Sequence, residues 1–285
     1  MFPTQFGYHR PESVQEAVKL LQENPDAKVL AGGHSLLPAM KLRLAMPEAL
    51  IDLHAISALR GVTANGAITI GAMTTYNQLA ESPELRAISM IGEAARLVGD
   101  AQVQVRGTLG GSLAHSDPAA DYTAIMLAIG AQLKAVGPNG ERSIDIEDFF
   151  VDLFTTSLAD DEILTEIVVS PPGGSVGTAY EKQRHPASGY AVAGVAAVIE
   201  LDGETCRGAR IAVTGATTKA TRASAAEEAL IGQPLDEKTI QRAADVAGQG
   251  LELNGDAFAS EEYRRHLVGV LTKRAVSRAR EDARG

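Results

Sequence analysis

Apolar residues recur at Val14, Ala17, Val18 and Leu21, one stripe of a 3.6-residue repeat, and Ser13 stands at the N-cap position, so a helix is predicted there. Asn24-Pro25-Asp26 ends it. Lys28 to Ala31 is a short apolar run that reads as a strand and leads directly into Gly32-Gly33-His34-Ser35. Leu36 to Leu44 reads as helical or irregular, and Ala49 to Leu53 as another strand. From about Ile56 the rhythm changes. Val62 to Ile70 reads as a hairpin around Asn65-Gly66. Thr75 with Gln78 forms a capping-box pattern, and Ser82-Pro83-Glu84 opens a second helical stretch that continues from Ile88 to Leu97. Val103 to Gly111 reads as extended, Pro118 to Ile129 as a helix, and Gln132 to Val136 as a strand closed by Pro138-Asn139-Gly140. Ile163 to Val169 is a further strand.

Pro171-Pro172-Gly173-Gly174 is the clearest break in the chain. Beyond it, Thr178 to Gln183, Val192 to Leu201 and Ala209 to Gly215 read as antiparallel strands. Thr221 to Ile231, Glu237 to Gly250 and Ser260 to Arg280 read as helices. The predicted class is α+β. Residues 1–173 form one domain with parts at about 1–55 and 56–173, and residues 174–285 form a C-terminal domain with a small antiparallel sheet and helices. No internal repeat is present.

With 285 residues, 45% of them hydrophobic, the chain can bury a sizeable core. A net charge of −10 without a basic, aromatic-interleaved stripe argues against nucleic acid. The basic run from Arg264 to Arg284 lies on a helical pattern with acidic neighbours and reads as a solvated face. Cys206 is the single cysteine, which excludes an intrachain disulfide, a four-cysteine cluster and a cysteine zinc site. No secretory signal pattern opens the chain, and the longest apolar run, Ala191 to Ile199, is too short for a transmembrane segment. The expected location is cytoplasmic, with peripheral attachment at the inner membrane face left open. His9, His54, His185 and His266 lack metal-type spacing.

Two loops carry chemistry. In Ala31-Gly32-Gly33-His34-Ser35-Leu36, paired glycines permit positive φ and let consecutive N–H groups converge on an anion, with Ser35 adding a hydroxyl. The loop suits a pyrophosphate, or is a tight strand-to-helix turn without a ligand. It is neither a P-loop nor the G-x-G-x-x-G fingerprint, which disfavours a Rossmann nicotinamide site. The second loop, Thr108-Leu109-Gly110-Gly111-Ser112, runs through Ser116 and Asp117 into a helix whose first turn holds Asp121. Helix capping alone would also account for those two carboxylates. Two hydroxyl-flanked diglycine loops from different parts of the chain suit one extended, phosphate-containing ligand.

AGGHSLLP and TLGGSLAHSDPAAD resemble the AGGHS and TIGG motifs of the FAD-binding medium subunits of the carbon monoxide dehydrogenase and xanthine dehydrogenase (molybdenum hydroxylase) family. Leucine stands at Leu109 in place of isoleucine. The likeness extends through Phe6 to Ala17, Asp161 to Ile167 and Tyr180-Glu181-Lys182 to the C-terminal unit. It implies a two-subdomain FAD-binding fold of the PCMH, vanillyl-alcohol-oxidase-like kind. It also implies noncovalent FAD, held by Val29, Leu30, Ala31, Gly32, Gly33, His34, Ser35 and Leu36 around the pyrophosphate and ribityl region. Thr108, Gly110, Gly111 and Ser112 would approach from the other side, with Ser116 and Asp117 beside them and Asp121 on a sugar hydroxyl. Ile163 or Leu164 would offer backbone groups. Lys182 would lie near the flavin ring or be a surface lysine, and Tyr190 would stack on the ring or be a rim or core tyrosine. His34 is expected to orient its loop through a ring hydrogen bond. No acid or base catalyst is expected in this chain. The resemblance further implies a large molybdopterin-binding subunit and a small subunit with two [2Fe–2S] clusters, as a dimer of heterotrimers. The chain would pass electrons from those clusters to a quinone or NAD acceptor. The alternative is a self-contained FAD-dependent oxidase or reductase on the same fold.

Overall fold

The structure, a computed structural model, describes residues 2–285. The first unit contains β1 (Gly7–His9), α1 (Val14–Glu23), β2 (Lys28–Leu30), α2 (Leu36–Lys41) and β3 (Ala49–Asp52). The three strands are parallel in the order β1-β3-β2, so β3 is central and buried along its whole length. Ser13 caps α1 by accepting from Glu16 N–H, and the Ala17-Val18-Leu21 stripe packs on Ala49 and Ile51.

The second unit contains β4 (Val62–Asn65), β5 (Ala67–Gly71), α3 (Tyr76–Glu81), α4 (Ser89–Leu97), α5 (Ala101–Arg106), α6 (Leu109–His115), α7 (Asp121–Ile129), β6 (Gln132–Gly137), β7 (Gly140–Asp145), β8 (Phe150–Asp152), β9 (Thr155–Thr156) and β10 (Ile163–Val169). Its five-stranded antiparallel sheet has the order β4-β5-β10-β6-β7, so the last strand in sequence occupies the centre. Gly66, with φ +84°, makes the β4–β5 turn, and the Thr75/Gln78 capping box opens α3.

The C-terminal unit contains β11 (Ser175–Arg184), β12 (Ala191–Asp202), β13 (Thr205–Thr214), β14 (Thr221–Arg222), α8 (Ser224–Leu230), α9 (Glu237–Val246) and α10 (Glu261–Arg284), with sheet order β11-β12-β13-β14. The long helix α10 covers β11 and β12. Helix α7 is buried on all sides from Asp121 to Ala128 because it lies between the core of the second unit and strands β12 and β13. No helix among the described residues is long and apolar enough to cross a membrane.

Three readings need correction. Val103 to Gly111 is not extended: Asp100 caps α5 by accepting from Gln102 and Val103 N–H, and Thr108 caps α6 by accepting from Gly111 N–H. The β-branched Val103 and Val105 suggested a strand, and two good caps override them. Thr221 to Ile231 is divided, because Thr221 and Arg222 pair with β13 before α8 begins. The stretch opened by Ser82-Pro83-Glu84 is a 3₁₀ turn over Pro83–Ile88 that precedes α4.

One edge of the second unit carries a carboxylate, Glu162, held in its charged form by its neighbours. Arg142 grips Glu162 with bonds of 2.6 and 2.7 Å, and Ala159 N–H donates at 2.9 Å. Arg142 is the largest cause of a Glu162 pKa below the ordinary 4.5. A carboxylate whose folded pKa is depressed contributes stability above its unfolded value and loses it as pH falls through the folded value. The difference in unfolding midpoint between the parent and Glu162→Gln is therefore expected to narrow from about pH 6 to about pH 3. A constant difference would show that the pair does not titrate with folding.

Candidate functional site

Strand β2 lies at the edge of its sheet, so Val29 and Leu30 have one free backbone edge before the chain turns at Ala31. Gly33 adopts φ +77°, and the His34 ring nitrogen Nδ1 lies 3.1 Å from the Gly32 carbonyl, which supplies the orienting ring contact expected of His34. Ser35 makes no side-chain cap to α2, which begins at Leu36, and its hydroxyl stands beside the Tyr190 phenol.

Only Gly33 of the four loop glycines uses positive φ. The others are glycine because neighbouring protein is close. A Cβ on Gly32 would lie 2.5 Å from the Arg106 carbonyl oxygen and 2.8 Å from Gly107 Cα. One on Gly110 would lie 2.5 Å from Ala72 Cβ, and one on Gly111 would lie 2.6 Å from Thr108 Oγ1 and 3.3 Å from Ala31 Cβ. The two diglycine loops thus touch, with the turn after α5 wedged against the first. The second loop lies within α6, not in an extended segment, and the Ser112 hydroxyl faces the buried Tyr76 phenol, which stacks on Tyr122 at 5.4 Å.

After α6, buried Ser116 takes a left-handed conformation (φ 51°), and Asp117 accepts from Ala119 N–H at 2.9 Å. The next residues join the C-terminal sheet. Gly215 N–H donates to the Pro118 carbonyl at 2.7 Å, and Thr214 Oγ1 donates to the Pro118 and Ala120 carbonyls at 2.7 and 2.8 Å. Asp121, the first residue of α7, does not cap that helix. It is 5% exposed; Lys182 Nζ donates to both its oxygens at 2.9 Å, and Tyr180 OH donates to Oδ1 at 2.5 Å. Burial pushes the Asp121 pKa up, while Lys182, Tyr180 and Arg184 pull it down. Lys182 is no surface lysine: its side chain is 3% exposed, and its third bond goes to the Gly189 carbonyl at 3.0 Å.

That third bond anchors the 185–190 loop. The next residue, Tyr190, is partly exposed beside Ser35 and Asp117, and burial together with Asp117 raises its pKa. Ile163 and Leu164 begin β10, which packs against α6. Their side chains are buried in two different cores, and their pairing is to β6 alone, since the ladder to β5 starts at Glu166. Any ligand contact they make would use the open backbone edge.

The structure brings Ala31–Leu36, Thr108–Ser112, Asp117 and Tyr190 next to one another, and the buried Asp121–Lys182 pair ties Tyr190's loop to the start of α7. Tyr180 and Gly189 were missed as members of the site. Gly194 carried a signal: a glycine inside an apolar strand marks a close approach, and a Cβ there would overlap the Tyr180 hydroxyl. Tyr180→Phe removes one donor from a buried carboxylate and is expected to cost about 1–3 kcal/mol. Chemical denaturation checks this, and an unchanged midpoint would mean that the hydroxyl contributes nothing to Asp121.

The donor set fits a dinucleotide diphosphate. It offers a left-handed glycine turn, two hydroxyls, and a buried ion pair that leaves no net uncompensated charge beneath the ligand. Residues 4–172 match the family described as FAD binding domain in molybdopterin dehydrogenase, and residues 178–279 match the CO dehydrogenase flavoprotein C-terminal domain. The carbon monoxide dehydrogenase medium chain of Hydrogenophaga pseudoflava is 41% identical over 98% of this chain and 98% of its own. That of Afipia carboxidovorans is 38% identical over 100% of each. The solved carbon monoxide dehydrogenase from Hydrogenophaga pseudoflava, in a form lacking the Mo-pyranopterin moiety, superposes with a TM-score of 0.95 at 42% identity, covering 98% of both chains.

Proposed function

This chain belongs to the FAD-binding medium chains of the molybdopterin dehydrogenases, and from that premise we propose that it carries electrons through a carbon monoxide dehydrogenase-like complex. In this reading a large subunit holds the molybdopterin and oxidises the substrate. A small subunit carries two [2Fe–2S] clusters, this chain receives their electrons and delivers them to a terminal acceptor, and the assembly is a dimer of such heterotrimers. Residues 1–173, in parts 1–55 and 56–173, are assigned to the cofactor and 174–285 to the closing domain. A cytoplasmic site of action, with attachment at the inner membrane face through partners, belongs to the same proposal.

Bound noncovalently, FAD exchanges electrons singly or in pairs, which suits a carrier between clusters and a terminal acceptor. The chain's own residues bind and orient. The turn at Gly33 presents backbone N–H groups, and Ser35 and Ser112 add hydroxyls. Val29, Leu30, Ile163 and Leu164 offer unpaired backbone edges, and Tyr190 covers the mouth. Asp121 holds the Lys182 ammonium in place, so the cation is fixed and paired when the ligand enters. The observation that carries the reading is the contact between the two diglycine loops, where Ala31 Cβ lies 3.3 Å from the position of a Gly111 Cβ, with Tyr190 reaching Ser35 from the other domain.

The test is reconstitution. The purified chain should take up one FAD, release it on acid precipitation, and turn over no small organic substrate alone. Adding the partner subunits and their substrate should then bleach the flavin absorbance. Turnover by the isolated, FAD-loaded chain would favour the self-contained oxidase instead.

A further inference from the structure

Tyr190 reaches Ser35 from the end of a closed turn, residues 185–190, that leaves β11 and returns into β12. The backbone closes it: His185 N–H donates to the Tyr190 carbonyl at 2.8 Å, and Gly189 N–H donates to the His185 carbonyl at 2.9 Å. Lys182 holds the Gly189 carbonyl, and Arg184 Nη2 donates to the Gly99 carbonyl at 2.6 Å. Two N–H groups inside the turn, those of Ala187 and Ser188, go to a side chain. Both donate to Nδ1 of His185, each at 3.2 Å. Pro186, the residue before them, has no N–H to offer.

A ring nitrogen that accepts two N–H groups carries a lone pair, so the proton of the imidazole sits on Nε2. The ring is half-buried and rests on Phe258, with ring centroids 4.1 Å apart. Phe258 is itself fixed. Asp256 accepts from Phe258 and Ala259 N–H at 2.8 and 2.9 Å and binds the buried Arg264 at 2.5 Å. The charged groups around the turn are Arg184 on β11, Lys182 paired with Asp121, Asp117 beside Tyr190, and Arg264 paired with Asp256 on the Phe258 segment. Among the described residues the one histidine within ion-pair reach of a carboxylate is His54, so no carboxylate bonds the His185 ring.

We propose that His185 is the positioning residue for Tyr190: its Nδ1 lone pair holds the turn that keeps the phenol beside Ser35, and a second proton on the ring releases it. An imidazolium is a donor at both nitrogens and has nothing to offer the Ala187 and Ser188 N–H groups. The ring must then turn away, the turn loses two of its bonds, and Tyr190 loosens with it. Retention of the bound cofactor thereby becomes sensitive to pH in the range where imidazoles take up a proton. The inference rests on the FAD reading above.

The test compares FAD release from the FAD-loaded chain with release from His185→Asn and His185→Phe. Asparagine at the head of such a turn accepts from N–H groups two or three residues on and does not titrate. Phenylalanine keeps the contact with Phe258 and accepts nothing. At about pH 8 the parent and His185→Asn should release FAD at the same rate, and His185→Phe roughly 10-fold faster, as the loss of neutral hydrogen bonds implies. Between about pH 8 and about pH 5.5 the parental rate should rise toward that of His185→Phe, while His185→Asn stays level. In the flavin-free protein, amide exchange at Ala187 and Ser188 should be faster in His185→Phe than in the other two at the same pH. Parental release from His185→Phe, or the parental pH profile in His185→Asn, would overturn the proposal. A parental chain that takes up no FAD fails the flavin reading, and equal amide exchange in all three proteins fails the proposal separately.

Discussion

Asp121→Ala is expected to destabilise the chain by about 3–5 kcal/mol, the cost of leaving a buried charge without its partner. Lys182 has almost no access to water, and its one remaining bond would be to the Gly189 carbonyl. It must then either lose its proton or pull the 185–190 loop open, and the second course moves Tyr190 away from Ser35. Chemical denaturation of the flavin-free chain reads the first effect and the FAD release rate reads the second. Asp121→Leu combined with Lys182→Met should recover most of the stability while FAD still dissociates faster, because an apolar pair fills the space without fixing the loop. A loss below about 1 kcal/mol for Asp121→Ala would mean that water replaces the missing carboxylate.

The second large effect concerns loop contact. Gly110→Ala and Gly32→Ala are each expected to cost about 2–3 kcal/mol or more, as overpacking against rigid neighbours does. At Gly110 the new methyl meets Ala72, whose carbonyl also accepts Gly110 N–H at 2.9 Å, so the helix cannot retreat without losing that bond. At Gly32 it meets the Arg106 carbonyl and Gly107, and the two loops must separate. FAD affinity should fall together with stability. Gly66→Ala is the control: nothing lies within 4 Å of its new methyl, and only the φ of +84° is unfavourable, at about 1 kcal/mol. Equal effects at Gly32 and Gly66 would falsify the close-approach account. The reason for these glycines differs from the sequence expectation. The expectation was positive φ and N–H groups converging on an anion, whereas Gly32 and Gly110 have no positive φ and an added methyl there meets neighbouring protein atoms.

Local chemistry explains what could be read in advance. Ser13, Thr75 with Gln78 and Asn65-Gly66 act within a few residues, and all three perform as their types suggest. The paired glycines were conspicuous because tolerating their entropic cost usually has a structural reason. The path from Val103 to Gly111 failed because Val103 and Val105 favour strands, while the caps Asp100 and Thr108 are single residues whose effect depends on the neighbouring turn. The partnership of Asp121 with Lys182 joins residues 61 positions apart on different domains, and no periodicity encodes such a distance. The resemblance placed both residues near the cofactor but not against each other. Gly194 could have pointed to Tyr180, had its place in an apolar strand been taken as evidence of a close neighbour.

Strand order also governs when this protein can become competent during synthesis. The central strand of the five-stranded sheet is the last of that sheet to leave the ribosome, and the counterion of Asp121 follows later still. A nascent chain ending before Lys182 holds both glycine turns yet exposes a carboxylate intended for the interior. Asp121 therefore meets its counterion only after synthesis has passed residue 182, later than every strand of the sheet that flanks it.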